Sequence, residues 1–198
     1  MEESTGIIIL AAGNSSRLGK PKQLLKYNGY TLLRNTIIQA KLVPNSVVIV
    51  VTGAYKKNVD EELATTAAKV VNNPEWETGM ASSIVIGLDA LRTLNPEIKA
   101  CIFTVCDQPF VTAQVFKDLL EQHLVTGKGI VASAYAETIG TPMLFSNDYY
   151  EALFNLTGQD GAKKLAQLHK EDLATIPFEK GAIDIDTTDD YNKLINPE

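Results

Sequence analysis

Residues Leu10 to Leu25 read LAAGNSSRLGKPKQLL. They follow an apolar, strand-like run (Gly6, Ile7, Ile8, Ile9) and gather Gly13, Arg17, Gly19, Lys20 and Lys22 within ten positions. Small residues let a backbone approach a ligand closely and turn N–H groups toward phosphate oxygens. Arg17 and the two lysines bring positive charge to the same place. An acidic chain that collects its cations in a glycine-bearing turn after its first strand is built to hold a nucleoside triphosphate there.

Two commoner phosphate loops fail on particular residues. A Walker A loop needs G-x-x-x-x-G-K-[ST]; here Gly13 and Gly19 are six apart, and Lys20 is followed by Pro21. The dinucleotide fingerprint G-x-G-x-x-G is absent, and Thr52-Gly53 ends the second apolar run where an acidic ribose ligand is expected.

At 198 residues the chain suits one domain, residues 1–198. Hydrophobic content of 45% and charged content of 21% are ordinary for a globular protein. No run of eighteen apolar residues suggests a membrane span. The acidic start Met1-Glu2-Glu3-Ser4 leads into a strand and argues against a signal peptide, so a cytoplasmic protein is expected. A net charge of −6 disfavours a nucleic-acid surface, which needs an excess of Lys and Arg. Cys101 and Cys106 fall five apart in or beside one strand, hence on opposite faces, and read as buried hydrophobes rather than metal ligands or a disulfide.

Apolar runs alternate with helical periodicity, the pattern of a layered α/β domain. Strands are expected at 6–12, 46–52, 68–71, 99–105 and 129–134, with extended pieces at 139–145 and 173–178 and a short segment at 182–185. Helices are expected at 30–41, 57–66, 81–93, from an N-cap at Thr112, and at 147–155, 160–169 and 187–195. Gly87, inside a helix, marks close packing.

The motif L-A-A-G-x-S-x-R-x-G-x-P-K resembles the loop of the nucleotidyltransferases related to molybdenum cofactor cytidylyltransferase and guanylyltransferase. The resemblance recurs, in order, at NPEWETGMASSIVIGL (73–88), CDQP (106–109), GQDGA (158–162) and DIDTTDDY (184–191), spanning residues 6–194. It implies a three-layer, Rossmann-like (GT-A-like) nucleotidyltransferase fold with a mostly parallel central sheet. The implied reaction is attack of an acceptor phosphate on the α-phosphorus of a nucleoside triphosphate, with release of pyrophosphate.

Asp107 directly follows an apolar strand, at the carboxyl edge where open α/β folds place ligands, although an Asp there also serves as a turn or helix cap. By resemblance it coordinates Mg²⁺. Because Mg²⁺ is usually held by one or two carboxylates plus waters and substrate phosphates, a second carboxylate is expected. The D-I-D-T motif offers Asp186, favoured, and Asp184, the second choice, with the other of the pair left to favour the closing helix dipole. Arg17 is expected to neutralise the β,γ-phosphates and Lys22 to steady the α-phosphate, making Arg17, Lys22 and Asp107 the catalytic set.

The nucleotide is expected at Leu10, Ala11, Ala12, Gly13, Arg17, Lys22, Gly53, Ser82, Ser83 and Asp107. Backbone groups at Ala11, Ala12 and Gly53 read the base edge, and the resemblance gives Ser83 a base contact. LAAG in place of LAGG is closer to the cytidylyl branch, which favours CTP over GTP. Gly140-Thr141-Pro142 matches the element lining the pterin side, although Thr141 stands where many members carry His or Asn. Gln159-Asp160-Gly161-Ala162 either shapes the acceptor pocket or simply caps a helix. The expected acceptor is therefore molybdopterin, with a sugar phosphate or an isoprenoid alcohol phosphate as alternatives. A recipient molybdoenzyme or its chaperone is a candidate partner, though no segment identifies a surface for one.

Overall fold

The computed structural model describes residues 4–196; the Met1–Glu3 part of the expected leaderless start lies outside them. In chain order the strands are β1 (Thr5–Ala11), β2 (Lys26–Tyr27), β3 (Tyr30–Thr31), β4 (Ser46–Thr52), β5 (Lys69–Asn72), β6 (Ala100–Val105), β7 (Ile130–Tyr135), β8 (Thr138–Ser146) and β9 (Leu173–Pro177). The helices are α1 (Leu32–Lys41), α2 (Lys56–Leu63), α3 (Met80–Leu94), α4 (Ala113–Thr126), α5 (Tyr150–Phe154), α6 (Ala162–Leu168) and α7 (Thr188–Ile195). The main sheet runs β5-β4-β1-β6-β8-β7-β9. Its pairings are parallel except for those of β8, which lies antiparallel to both β6 and β7. The expected mostly parallel α/β sheet is therefore present.

Three layers follow from the period-two burial of the strands. Ile7 and Ile9 of β1, with Val48 and Val50 of β4, pack beneath α1, α2 and α4. Ile8, Ile49 and Val51 face the other way, onto α3, α5 and α6. A strand covered on both faces needs no polar alternation, which is why SVVIVVT (46–52) reads as one continuous apolar run. Cys101 and Cys106 fall into opposite layers and are both buried and free; burial first, then the neighbouring Asp107, pushes the Cys106 thiol up to about 12. Gly87 touches β1 and β4 so closely that a Cβ would come within 2.6 Å of Ile8 Cγ2, the close packing expected of it.

Four local features differ from the expectation. The helix expected at 30–41 begins at Leu32, because Tyr30 and Thr31 pair with Tyr27 and Lys26 in a small hairpin. Its turn, Asn28-Gly29, has φ of 52° and 86°, a short hairpin signal present in the sequence itself. Thr112 precedes α4 as expected but its side chain caps nothing; Gln39 Oε1 of α1 accepts from Ala113 N at 2.9 Å instead. The closing helix is capped by Asp190 and Thr187 in a reciprocal box, and neither Asp184 nor Asp186 is the cap. Ala182 ends a 3-10 turn, Glu179–Ala182, and the chain from there to α7 belongs to neither sheet.

Candidate active site

The loop after β1 is held in shape by one buried amide. Gln23, 1% exposed, donates from Nε2 to Ala11 O at 3.0 Å and to Gly13 O at 2.9 Å. In trans peptides a carbonyl and the following N–H point in opposite directions, so the N–H groups of Ala12 and Asn14 are aimed away from Gln23. Ser15, at φ 50°, closes the tip: its carbonyl accepts from Leu18 N and Gly19 N, and its hydroxyl accepts from Lys22 N. Tyr55 donates its hydroxyl to Asn14 O at 2.8 Å, fastening the loop to the segment after β4.

The loop ends on Lys22, whose ammonium is the centre of the charged cluster. Its Nζ is ion-paired with Asp107 Oδ2 and lies 2.9 Å from Asp186 Oδ1. Arg17 Nη2 reaches Asp186 Oδ2 at 2.6 Å from a largely exposed side chain. Burial alone would depress the Lys22 ammonium, but Asp107 and then Asp186 hold its pKa well above the ordinary lysine value. Burial likewise works against the Asp186 carboxylate, yet Lys22 and Arg17 keep its pKa low. Asp184 is largely exposed; partial desolvation of its carboxylate and then the neighbouring charges of Asp186 and Asp107 raise its pKa.

These carboxylates meet through backbone as well as charge. Asp107 comes off the carboxyl end of β6, and its carbonyl accepts from Ile185 N at 2.9 Å, pinning the chain between the two acidic residues of D-I-D. Gln108, 4% exposed, donates to Gly181 O at 2.8 Å and accepts from Thr141 Oγ1 at 3.1 Å. Among the described residues no cluster of three or more His, Cys, Asp or Glu could enclose a metal. Two carboxylate oxygens converging on one cationic atom nevertheless suit a divalent ion that completes its shell with water and phosphate oxygens.

A cleft of about 370 Å³ opens beside Lys22 and Asp107, lined also by Leu10, Ala12, Gly13 and Ser83. Of the other expected nucleotide residues, Ala11 packs into the core on the far face of the sheet and Gly53 lies behind Ala12, whose carbonyl accepts from Ala54 N. Neither lines the cleft. The Ser82 hydroxyl is committed to Gly79 O and Glu75 O and receives Asn73 Nδ2 at 2.8 Å; Ser83 Oγ receives the same amide at 2.9 Å and does line the cleft. Asn73, with 0% exposure, thereby orients both serines, a role that period counting does not reveal.

Trp76, Glu77 and Asn14 also line the cleft and were not anticipated. Asn14 belongs to the glycine-bearing loop, and Trp76 and Glu77 to the NPEWETGMASSIVIGL block. Gly79 starts α3 at φ 124° and touches Gly158, whose carbonyl accepts from Ala81 N at 3.2 Å. The GQDGA loop thus buttresses α3 and sends Gln159 into the cleft. Asp160 does not cap α6, which starts at Ala162 with Gly161 as its N-cap; it pairs with Lys164 instead. An adjoining pocket of about 240 Å³ shares Leu10, Met80 and Val105 with the cleft and is lined by Tyr135, Ile139, Thr141 and Met143.

The chain is similar to known proteins along most of its length. The chain is 28% identical over 188 residues to molybdenum cofactor cytidylyltransferase from Escherichia coli K12, covering 93% of this chain and 92% of that one. It is 27% identical over 200 residues to nicotine blue oxidoreductase from Paenarthrobacter nicotinovorans, covering 95% of each. The fold is that of Rv0371c from Mycobacterium tuberculosis H37Rv, with a TM-score of 0.83 at 27% identity over 98% of this chain and 99% of that one; Rv0371c has also been solved in complex with manganese. A family model described as the MobA-like NTP transferase domain matches residues 7–173. That match runs over most of the residues, so the chain belongs to the MobA-like NTP transferase domain family and is a nucleotidyltransferase enzyme.

Proposed function

We propose that the protein transfers CMP from CTP to the terminal phosphate of molybdopterin, releasing pyrophosphate, in a Mg²⁺-dependent reaction. The observation that carries this reading is the Lys22 ammonium fastened between Asp107 and Asp186 at the edge of a nucleotide-sized cleft. Asp107 and Asp186 would hold Mg²⁺, which when bound neutralises phosphate oxygens. Asp184, exposed and outside the Lys22 ion pairs, is the weaker ligand candidate.

The chain's own residues perform the rest. The loop N–H groups and Arg17 receive the β,γ-phosphates, whose negative charge grows as pyrophosphate departs. Lys22 steadies the α-phosphate, and Ser83 contacts the base from the first turn of α3. An oxygen of the acceptor phosphate forms a bond to the α-phosphorus while the bond to the bridging oxygen breaks, and pyrophosphate leaves with that electron pair. A terminal phosphate is already nucleophilic, so the work is positioning and charge stabilisation rather than proton transfer. The adjoining pocket, with Thr141 on its wall, takes the acceptor.

CTP is favoured over GTP by the LAAG block and by the relative named molybdenum cofactor cytidylyltransferase. The same reading treats residues 1–198 as one domain acting in the cytoplasm and delivering its product to a molybdoenzyme or its chaperone. The test is pyrophosphate release with each of CTP, GTP, ATP and UTP, with and without Mg²⁺, in the presence of molybdopterin. Release only with CTP, Mg²⁺ and molybdopterin supports the reading. Release with GTP moves the protein to the guanylyl branch, and release only with a sugar phosphate or isoprenoid phosphate replaces the acceptor. Redox turnover of nicotine blue with no pyrophosphate release would instead align it with the relative named as an oxidoreductase.

A further inference from the structure

Lys22 does more in this geometry than await a phosphate. Its Nζ contacts the very carboxylate oxygens, Asp107 Oδ2 and Asp186 Oδ1, that converge at the proposed metal position. The second oxygen of Asp186 is taken by Arg17 at 2.6 Å. Two carboxylates are thus matched by two cations, and the four side chains sum to no net charge. Lys22, Asp107 and Asp186 have side chains only 15–22% exposed, so solvent screens these contacts incompletely.

A divalent ion arriving alone meets a neutralised pair and must push an ammonium aside, with no new anion to receive it. A metal–triphosphate complex brings its own anion: the phosphates take over Lys22 and Arg17, and the two carboxylates are released to the metal in the same exchange. We propose that Lys22 makes the protein select the metal–triphosphate complex over the free cation, so that metal affinity is created by the nucleotide. This rests on the reading of Asp107 and Asp186 as the metal-holding pair.

The test is direct binding of Mn²⁺ alone, followed by electron paramagnetic resonance on the full chain without nucleotide. The unaltered protein is expected to bind it with a dissociation constant on the order of 10⁻³ M, the weak end for oxygen-ligand sites. Lys22→Met, which removes the ammonium but keeps an unbranched stem, is expected to tighten Mn²⁺ binding about tenfold or more. Lys22→Arg, retaining the charge, is expected to stay as weak as the unaltered chain. Tight Mn²⁺ binding by the unaltered chain overturns the proposal without recourse to any variant. Unchanged or weaker binding in Lys22→Met overturns it too. Adding Asp107→Asn to Lys22→Met separates this failure from a failure of the metal reading: loss of the gained Mn²⁺ affinity keeps Asp107 as a ligand, and its persistence shows that the ion sits elsewhere.

Discussion

The two halves of the cleft are built on opposite principles. The nucleotide half is polar and charge-balanced: a turn tied by Gln23, and Lys22 paired with Asp107 and Asp186. The half proposed for the acceptor has an apolar wall of Ile139, Met143 and Phe103, with Tyr135, Thr138, Thr141 and Lys163 as its polar members. The first half sits on parallel strands β1 and β6, at their carboxyl ends, where loops converge on a ligand. The second sits where β8 runs against its neighbours, so residues of the β7–β8 hairpin reach the same edge from the opposite direction. On the function proposed above, the difference teaches that nucleotidyl-transfer chemistry is housed in short motifs, whereas acceptor choice is housed in the shape of a hairpin.

The largest way to break the comparison is Asp107→Ala. If the nucleotide half carries the chemistry, steady-state turnover should fall by about 100- to 1000-fold, the scale of losing one preorganised electrostatic group. Acceptor binding, measured by calorimetry, should persist.

Gln23→Leu strikes the same half from beneath. It leaves Ala11 O and Gly13 O without their buried donor, so denaturant unfolding should show a loss of about 1–3 kcal/mol. Triphosphate affinity should fall while cytidine affinity is retained, because only the phosphate-facing N–H groups lose their aim. Equal loss for both ligands would assign Gln23 to stability alone.

A smaller effect sharpens the acceptor half. Thr141→Val keeps the volume but removes the hydroxyl that donates to Gln108 Oε1. The KM for the acceptor should rise by roughly threefold to tenfold, as for one lost neutral hydrogen bond, and CTP binding by thermal shift should not change. A change in CTP binding would mean that the two halves are coupled through Gln108 and Gly181.

The smallest expected effect lies outside both halves. Asp172 accepts from Gly129 N at 3.0 Å and from the Tyr149 hydroxyl at 2.7 Å. Burial opposes its ionisation, but those two donors hold its pKa below the usual carboxylate range. A depressed folded pKa gives stability that is present above the unfolded value, about 3.9, and lost as pH falls through the folded one. Thermal unfolding from pH 6 down to pH 2 should therefore show a shallower acid slope in Asp172→Asn, with cleft ligation unaffected at pH 7.

Much of this was legible beforehand. Continuous β-branched runs located the parallel strands, and the alternation of Ile7, Ile8 and Ile9 between two layers follows from period-two geometry. The residues that share the charged centre, Arg17, Lys22, Asp107 and Asp186, are all legible as candidates from their motifs, although they lie up to 169 positions apart. Residues that work by supporting others escaped. Gln23, Asn73 and Gln108 carry no net charge and follow no period, and their importance lies in which buried carbonyl or hydroxyl each one meets.

By itself, then, the amino-acid order determined the layered α/β class, the place of the glycine-bearing loop and the identity of the charged groups, because these depend on local periodicity and on residue chemistry. Only the tertiary structure decided that Lys22 lies between Asp107 and Asp186, that Ser82 turns away from the cleft while Ser83 faces it, and that α4 is capped by Gln39 rather than by Thr112. Those outcomes hang on contacts between segments far apart in the chain. There, the packing of the sheet sets distances to tenths of an ångström, and no pattern within one segment encodes them.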